Sequence, residues 1–330
     1  MKPSRTVKAV TGLCALLGAV SVTTATSGTA QAAATPQVYV ALGDSMASGP
    51  LIPDPTGQLA CGRSTHNYAH DMAASLGIPV LRDVTCSGAS TFHMTNPQPL
   101  SIAGVAAGTA PPQFDALTAD TTLVTLTIGG NDVGLVGVAQ DCMQLNPFAA
   151  PCKGKYVVNG VDSVAARSDA FAPKLAAVLA GIHQRSPQAR VLVTGYGDYI
   201  KAGGCWPVEP LLGSDATWLQ SEVDYLNSVI ASTSASNGAT YVDVRTPSAG
   251  HDSCQGEGSR WVEGYVPLSP AAPLHPNQAG EAAYARIVGA GRGSQVPDTD
   301  DVVVAVEEVA GGVDEQRAVP RVVGVEFGPV

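Results

Sequence analysis

No cluster of lysine and arginine occurs in the 330 residues, and 18 basic residues stand against 28 acidic ones for a formal net charge of −10. The chain therefore offers no counter-charge to a nucleic-acid backbone, and its overall charge disfavours electrostatic adhesion to an anionic membrane. Beyond the first twenty residues no apolar run approaches the roughly 18 residues of a membrane span, so no stable membrane anchor is expected. The spacing Cys-x-x-Cys is missing, which argues against a thiolate metal site. Neither Gly-x-x-x-x-Gly-Lys nor Gly-x-Gly-x-x-Gly is present, which disfavours a nucleotide- or flavin-binding module. The Gly-x-Ser-x-Gly elbow is absent too, so any serine chemistry belongs to a lineage other than the α/β-hydrolases. There are no internal repeats.

At the start, Lys2, Arg5 and Lys8 precede an apolar run over 9–20, and small residues follow at 30–34. Residues 1–34 read as an export signal, and the mature protein is expected outside the cell. Cys14 leaves with that segment. Six cysteines remain, Cys61, Cys86, Cys142, Cys152, Cys205 and Cys254. An even set in an exported chain points to three disulfides, and local order favours Cys61–Cys86, Cys142–Cys152 and Cys205–Cys254.

Residues 35–293 carry an unbroken alternation of strand and helix patterns and read as one domain, expected to be monomeric. Short apolar strands are expected over 38–42, 80–85, 123–128, 190–194 and 241–244, and helices over 67–76, 161–185, 215–233 and 276–288. Residues 91–108 show no clear period, a short helix follows Pro111-Pro112, and 147–160 reads as loop. Pro173 should kink the long 161–185 helix or divide it. Such alternation demands right-handed crossovers, hence a three-layer α/β/α sandwich with a mainly parallel sheet of about five strands. In the order 2-1-3-4-5, strands one and three enclose a crevice at the carboxyl edge. Residues 294–330 hold eight acids against two arginines and no periodicity, and read as a mobile acidic tail. The 302–306 valine-rich run is its one strand-like stretch.

The stretch Val38–Gly49, VYVALGDSMASG, ends the first strand in a tight turn and delivers Ser45 to that edge. On the turn alone, Asp44 and Ser45 serve equally well as a helix cap. Three further blocks shift the balance: CSGAS around Gly88, GGND around Asn131 and PLHPN around His275. Together with CGRSTHNYA and the six cysteines, they resemble the GDSL family of SGNH hydrolases, in particular its secreted actinobacterial lipases and esterases. The resemblance covers about 38–287. It implies a flavodoxin-like sandwich and an acyl-enzyme mechanism on lipid or small acyl esters that needs no cofactor. It also implies Ser45 as nucleophile, His275 as its base, and an oxyanion hole from the Ser45 and Gly88 backbone N–H groups and the Asn131 amide.

Many members of that family carry Asp three residues before the histidine, where this chain has Ala272. A Ser45–His275 dyad is expected instead, with the carbonyl of Ala272, or alternatively Pro273, holding Nδ1–H. Asp243 and Asp252 are the remote acids that remain. His66 and His70 have helical i,i+4 spacing but no third ligand nearby, so no metal is expected. His93, His183 and His251 read as surface or loop residues. Trp206 and Trp261, in long excursions near strand ends, are packing residues with an optional lining role, and Trp218 is a packing residue. A carbohydrate deacetylase on the same fold and a non-catalytic binding protein are the competing readings.

Overall fold

The computed structural model describes residues 37–293. The export signal expected over 1–34 and the acidic tail expected over 294–330, with its 302–306 run, lie outside them. In chain order the elements are β1 (Val38–Gly43), α1 (Ser45–Ser48), α2 (Tyr68–Leu76), β2 (Val80–Asp83), β3 (Gln98–Ile102), β4 (Val105–Ala110), β5 (Leu123–Thr127), α3 (Gly130–Val133) and α4 (Leu135–Asp141). There follow α5 (Lys153–Tyr156), β6 (Val157–Val158), β7 (Val161–Asp162), α6 (Ser163–Arg185), β8 (Arg190–Thr194), α7 (Gly213–Ser236), β9 (Thr240–Val242) and α8 (Gln278–Gly291).

Five strands pair in the order β2-β1-β5-β8-β9, all parallel. This is the expected order 2-1-3-4-5, counted over the sheet strands. The period of two along β1 sends Val40 and Leu42 into one core and Tyr39 and Ala41 into the other. Helices α6 and α7 cover the first face with Phe171, Leu175, Leu179, Leu219, Leu226 and Ile230. Helices α2 and α8 cover the second with Met72, Tyr284 and Val288. Burying each such side chain stabilises the fold by about 1.5–3 kcal/mol.

Three segments differ from the sequence expectation. The aperiodic stretch contains the antiparallel hairpin β3–β4, turned by Ala103 (φ 48°) and Gly104 (φ 81°). Its strands are mostly exposed and bury only Gln98, Leu100 and Ala110, too few apolar positions to set a readable period. The 147–160 loop holds α5 and enters the small hairpin β6–β7, whose Asn159-Gly160 turn has both φ values positive. Helix α6 runs undivided through Pro173, which faces solvent opposite the buried Phe171 and Leu175. The carbonyl that loses its helical partner there turns to water rather than to a dry interior.

The three disulfides join Cys61–Cys86, Cys142–Cys152 and Cys205–Cys254, with Cα separations of 4.2, 5.1 and 5.8 Å. Each bridges segments that leave carboxyl ends of sheet strands.

The end of β1 is held by a side chain from outside the sheet. Gln113 accepts from Gly43 N–H at 2.8 Å and donates to Gly43 C=O at 2.9 Å. Gly43 has φ 150°, and a Cβ there would lie 2.6 Å from the Thr127 carbonyl oxygen. Only glycine lets β1 and β5 end so close together. Gln113→Ala strands the buried Gly43 N–H. Chemical denaturation should register a loss of about 1–3 kcal/mol, whereas an unchanged midpoint would mean that water replaces the amide.

Candidate active site

Ser45 opens α1 directly after β1, and Asp44 caps that single turn by accepting from Met46 N–H at 2.9 Å. The capping role and the delivery role thus fall to neighbouring residues. Ser45 Oγ lies 2.7 Å from His275 Nε2, 230 residues away in sequence. The other ring nitrogen, Nδ1, lies 2.7 Å from the carbonyl oxygen of Pro273. A carbonyl can only accept, so Nδ1 carries the proton and Nε2 is left to accept from the Ser45 hydroxyl.

The carbonyl of Ala272 does not perform this task. It accepts the backbone N–H of His275 at 3.2 Å, closing a tight turn. Leu274 sits at φ 63°, and that reversal aims the Pro273 carbonyl back at the ring. Positive φ at a leucine is uncommon and survives only when surroundings dictate it. Here Leu274 N–H donates to Glu263 C=O at 3.1 Å, and His275 C=O accepts from Glu263 N–H at 2.9 Å. Asp243 and Asp252 are occupied elsewhere: Asp243 accepts from Arg245 N–H and Thr246 N–H, and Asp252 from Cys254 N–H and the Gln255 amide.

The other expected site residues converge on the same edge. No described group accepts from the backbone N–H of Ser45 or Gly88. Gly88 has φ 77° and is braced by its neighbours: Ser87 N–H donates to Cys61 C=O at 2.9 Å, beside the Cys61–Cys86 bridge. Asn131, in α3, spends one amide hydrogen on the Ala89 carbonyl at 2.8 Å, and the other remains for a ligand. Asp132 secures the same turn to the Gly88 segment by accepting from Thr91 N–H at 3.0 Å.

Two residues important here escaped the sequence reading. Tyr196, just past β8, donates to Asp44 Oδ2 at 2.7 Å and accepts from Gly130 N–H at 2.7 Å, so one phenol joins the Ser45 turn to the Asn131 turn. Burial pushes the Asp44 carboxyl up to about 7 despite the hydrogen bonds from Tyr196 OH and Met46 N–H. Glu263 is fully buried beneath the His275 loop. It accepts from Leu268 N–H at 2.8 Å, Asn277 Nδ2 at 2.8 Å and the Ser269 hydroxyl, and pairs with Arg260 Nε at 3.2 Å. Burial would raise its carboxyl, but these partners hold it below the ordinary range. Neither residue belongs to a recognisable local pattern; only the distant partners reveal them.

A cleft of about 660 Å3, its open mouth included, starts at Asp44, Ser45, Gly130 and Asn131 and continues between apolar walls. Leu135, Val136, Ile200, Leu219, Val223 and Leu274 form those walls. Trp206 and Trp261 are not among its lining residues; Trp261 stacks on His251 at 4.0 Å, and Trp218 packs on Tyr156. His70 Nδ1 pairs with Asn67 Oδ1 at 2.9 Å, and among the described residues no group of three His, Cys, Asp or Glu is placed to hold a metal.

Residues 41–283 match the GDSL-like Lipase/Acylhydrolase family. Lipase 2 of Streptomyces coelicolor is 37% identical over 277 residues, spanning 81% of this chain and 90% of that protein. Lipase 1 of the same organism is 30% identical and spans 86% and 96%. Among solved structures, the extracellular lipase of Streptomyces rimosus superposes with a TM-score of 0.64 at 27% identity, covering 77% of this chain and 99% of that one. Phospholipase A1 of Streptomyces albidoflavus gives 0.62 at 27% identity, covering 78% and 99%.

Burial lowers the His275 pKa below the ordinary 6.5, and the Pro273 hydrogen bond opposes this only in part. The fold thus favours the neutral ring, so this residue's contribution to stability is complete above the unfolded-state pKa and is lost as pH falls below it. Imidazole resonances of His275 followed by NMR should titrate below pH 6.5. A midpoint at or above that value would mean that a negative charge reaches the ring.

Proposed function

The chain belongs to the GDSL-like lipase/acylhydrolase family and is a carboxylic ester hydrolase, and from that premise we propose that it works through a Ser45–His275 dyad without a triad acid. The 2.7 Å contact between Ser45 Oγ and an Nε2 free to accept carries this reading. Ser45 Oγ attacks the ester carbonyl carbon while its proton passes to Nε2. The developing oxyanion turns to the N–H groups of Ser45 and Gly88 and to the free Asn131 amide hydrogen. Collapse breaks the bond to the alcohol, which leaves with the proton from Nε2–H. Water then attacks the acyl-Ser45 ester, again giving a proton to Nε2; collapse breaks the acyl–Oγ bond, Nε2–H returns its proton to Ser45 Oγ, and the acid departs. Throughout, the Pro273 carbonyl keeps Nδ1–H in place, and its partial charge supports the transient imidazolium.

The apolar walls beyond Ser45 favour the acyl chain of a lipid over the acetyl group of a decorated sugar, which would leave most of the cleft unfilled. Lipid esters are accordingly the proposed substrate class. The export signal over 1–34 and the three disulfides support work outside the cell. Among the described residues no helix is long and apolar enough to cross a membrane.

Ser45→Ala and His275→Ala should each reduce ester hydrolysis by at least ~10⁴-fold with unchanged circular dichroism. Asn131→Ala should lower kcat by about 10²–10³-fold with little change in KM. Near-native turnover in a folded Ser45→Ala or His275→Ala protein would reject the dyad.

Asp243→Asn and Asp252→Asn should both keep most activity, since neither carboxylate reaches His275. A loss near 10⁴-fold in either variant would instead place a triad acid in the site. In a series of p-nitrophenyl esters from acetyl to palmitoyl, kcat/KM should rise as the chain fills the apolar cleft. A steady fall from acetyl onward would restore the deacetylase reading.

A further inference from the structure

Two loops follow elements that line the cleft, and both expose apolar side chains. The first, 142–161, continues from α4, whose Leu135, Val136 and Ala139 line the cleft; the second, 200–208, begins at Ile200, which lines it as well. They are joined to each other: Trp206 Nε1 donates to Gln144 C=O at 3.2 Å, and Gln144 N–H donates to Pro210 C=O at 2.6 Å. Cys142–Cys152 closes the first loop on itself, and Cys205–Cys254 anchors the second. On this cross-linked platform Phe148 is 93% exposed, Leu145 80%, Val208 68%, Met143 52% and Trp206 41%. Scattered apolar residues need no explanation, whereas this many on two joined loops that continue from the walls of an apolar cleft do.

The charge of the platform runs against that of the chain. Residues 142–161 and 200–208 hold Lys153, Lys155 and Lys201 and no carboxylate, in a molecule of net charge −10. All three lysines are exposed, and Lys155 has a partner at the edge, Asp141 at 2.9 Å. Apolar tips among ammonium groups suit a phospholipid surface, where the tips enter the acyl region and the ammonium groups meet phosphates.

We infer that this platform docks the protein on phospholipid surfaces and presents acyl chains to the cleft. The inference rests on the proposed lipid-ester activity, but docking can be measured without turnover. The full chain carrying Ser45→Ala should sediment with phosphatidylcholine vesicles, and more tightly when phosphatidylglycerol is included. Its tryptophan emission should shift to the blue, reporting Trp206, because Trp218 and Trp261 are packed within the fold. Adding Leu145→Ser and Phe148→Ser should weaken binding to both vesicles by about 10- to 100-fold. Replacing Lys153, Lys155 and Lys201 by Gln should abolish the preference for phosphatidylglycerol.

In the otherwise native chain, the Leu145→Ser/Phe148→Ser pair should slow hydrolysis of vesicle lipid and leave p-nitrophenyl acetate turnover unchanged. The inference is overturned if the Ser45→Ala protein binds neither vesicle, or if its Leu145/Phe148 variant binds as tightly as its parent. Failure of the hydrolase reading would look different: vesicle binding would persist while the native chain turned over no soluble ester.

Discussion

The reactive edge depends on one buried chain of hydrogen bonds. Gly130 N–H donates to Tyr196 OH, which donates to the Asp44 carboxyl, which also takes Met46 N–H. These groups sit just beyond β5, β8 and β1, three adjacent strands whose carboxyl ends they tie together. Their seclusion makes the chain stringent, because a buried polar atom without its partner is costly. Removing the phenol would orphan two groups at once. The Ser45 turn and the Asn131 turn are therefore set against one another from below.

The His275 ring is held by different means. His275 comes from a loop, and a loop gives precision only if its backbone is over-determined. Glu263 supplies that restraint through its main chain, which brackets Leu274 and His275, and through its carboxylate, which gathers Leu268, Ser269, Asn277 and Arg260. Acidity is thus used to shape the loop, while a neutral carbonyl faces the imidazole.

Much of this was legible in the sequence because a parallel sheet buried on both faces leaves strong signals. Val38–Gly43, Leu123–Thr127 and Arg190–Thr194 are apolar and bounded by turn residues, and the alternation with helices dictates strand order. The hairpin β3–β4 was illegible because its strands bury only Gln98, Leu100 and Ala110, which leaves just two apolar positions to mark a period. Asn159-Gly160 was a signal overlooked, since that pair specifies a two-residue hairpin turn. Ala272 stands where an acidic side chain would, but a carbonyl acts through backbone direction, and the reversal at Leu274 hands the task to the alternative, Pro273. Tyr196 and Glu263 earn their importance from partners far away in the chain. No local pattern could announce them.

All six cysteines of the bridges lie between the end of a sheet strand and the start of the next helix that packs on the sheet, and none lies within those helices. Covalent reinforcement is thus confined to one rim, while the layered body relies on burial alone. The consequence is a separation of tasks that natural variation can exploit. The rim segments can change length and composition to suit new substrates while their bridges limit how far each change spreads. Reducing agents would act on the same division, blunting the working rim before the layers beneath it came apart.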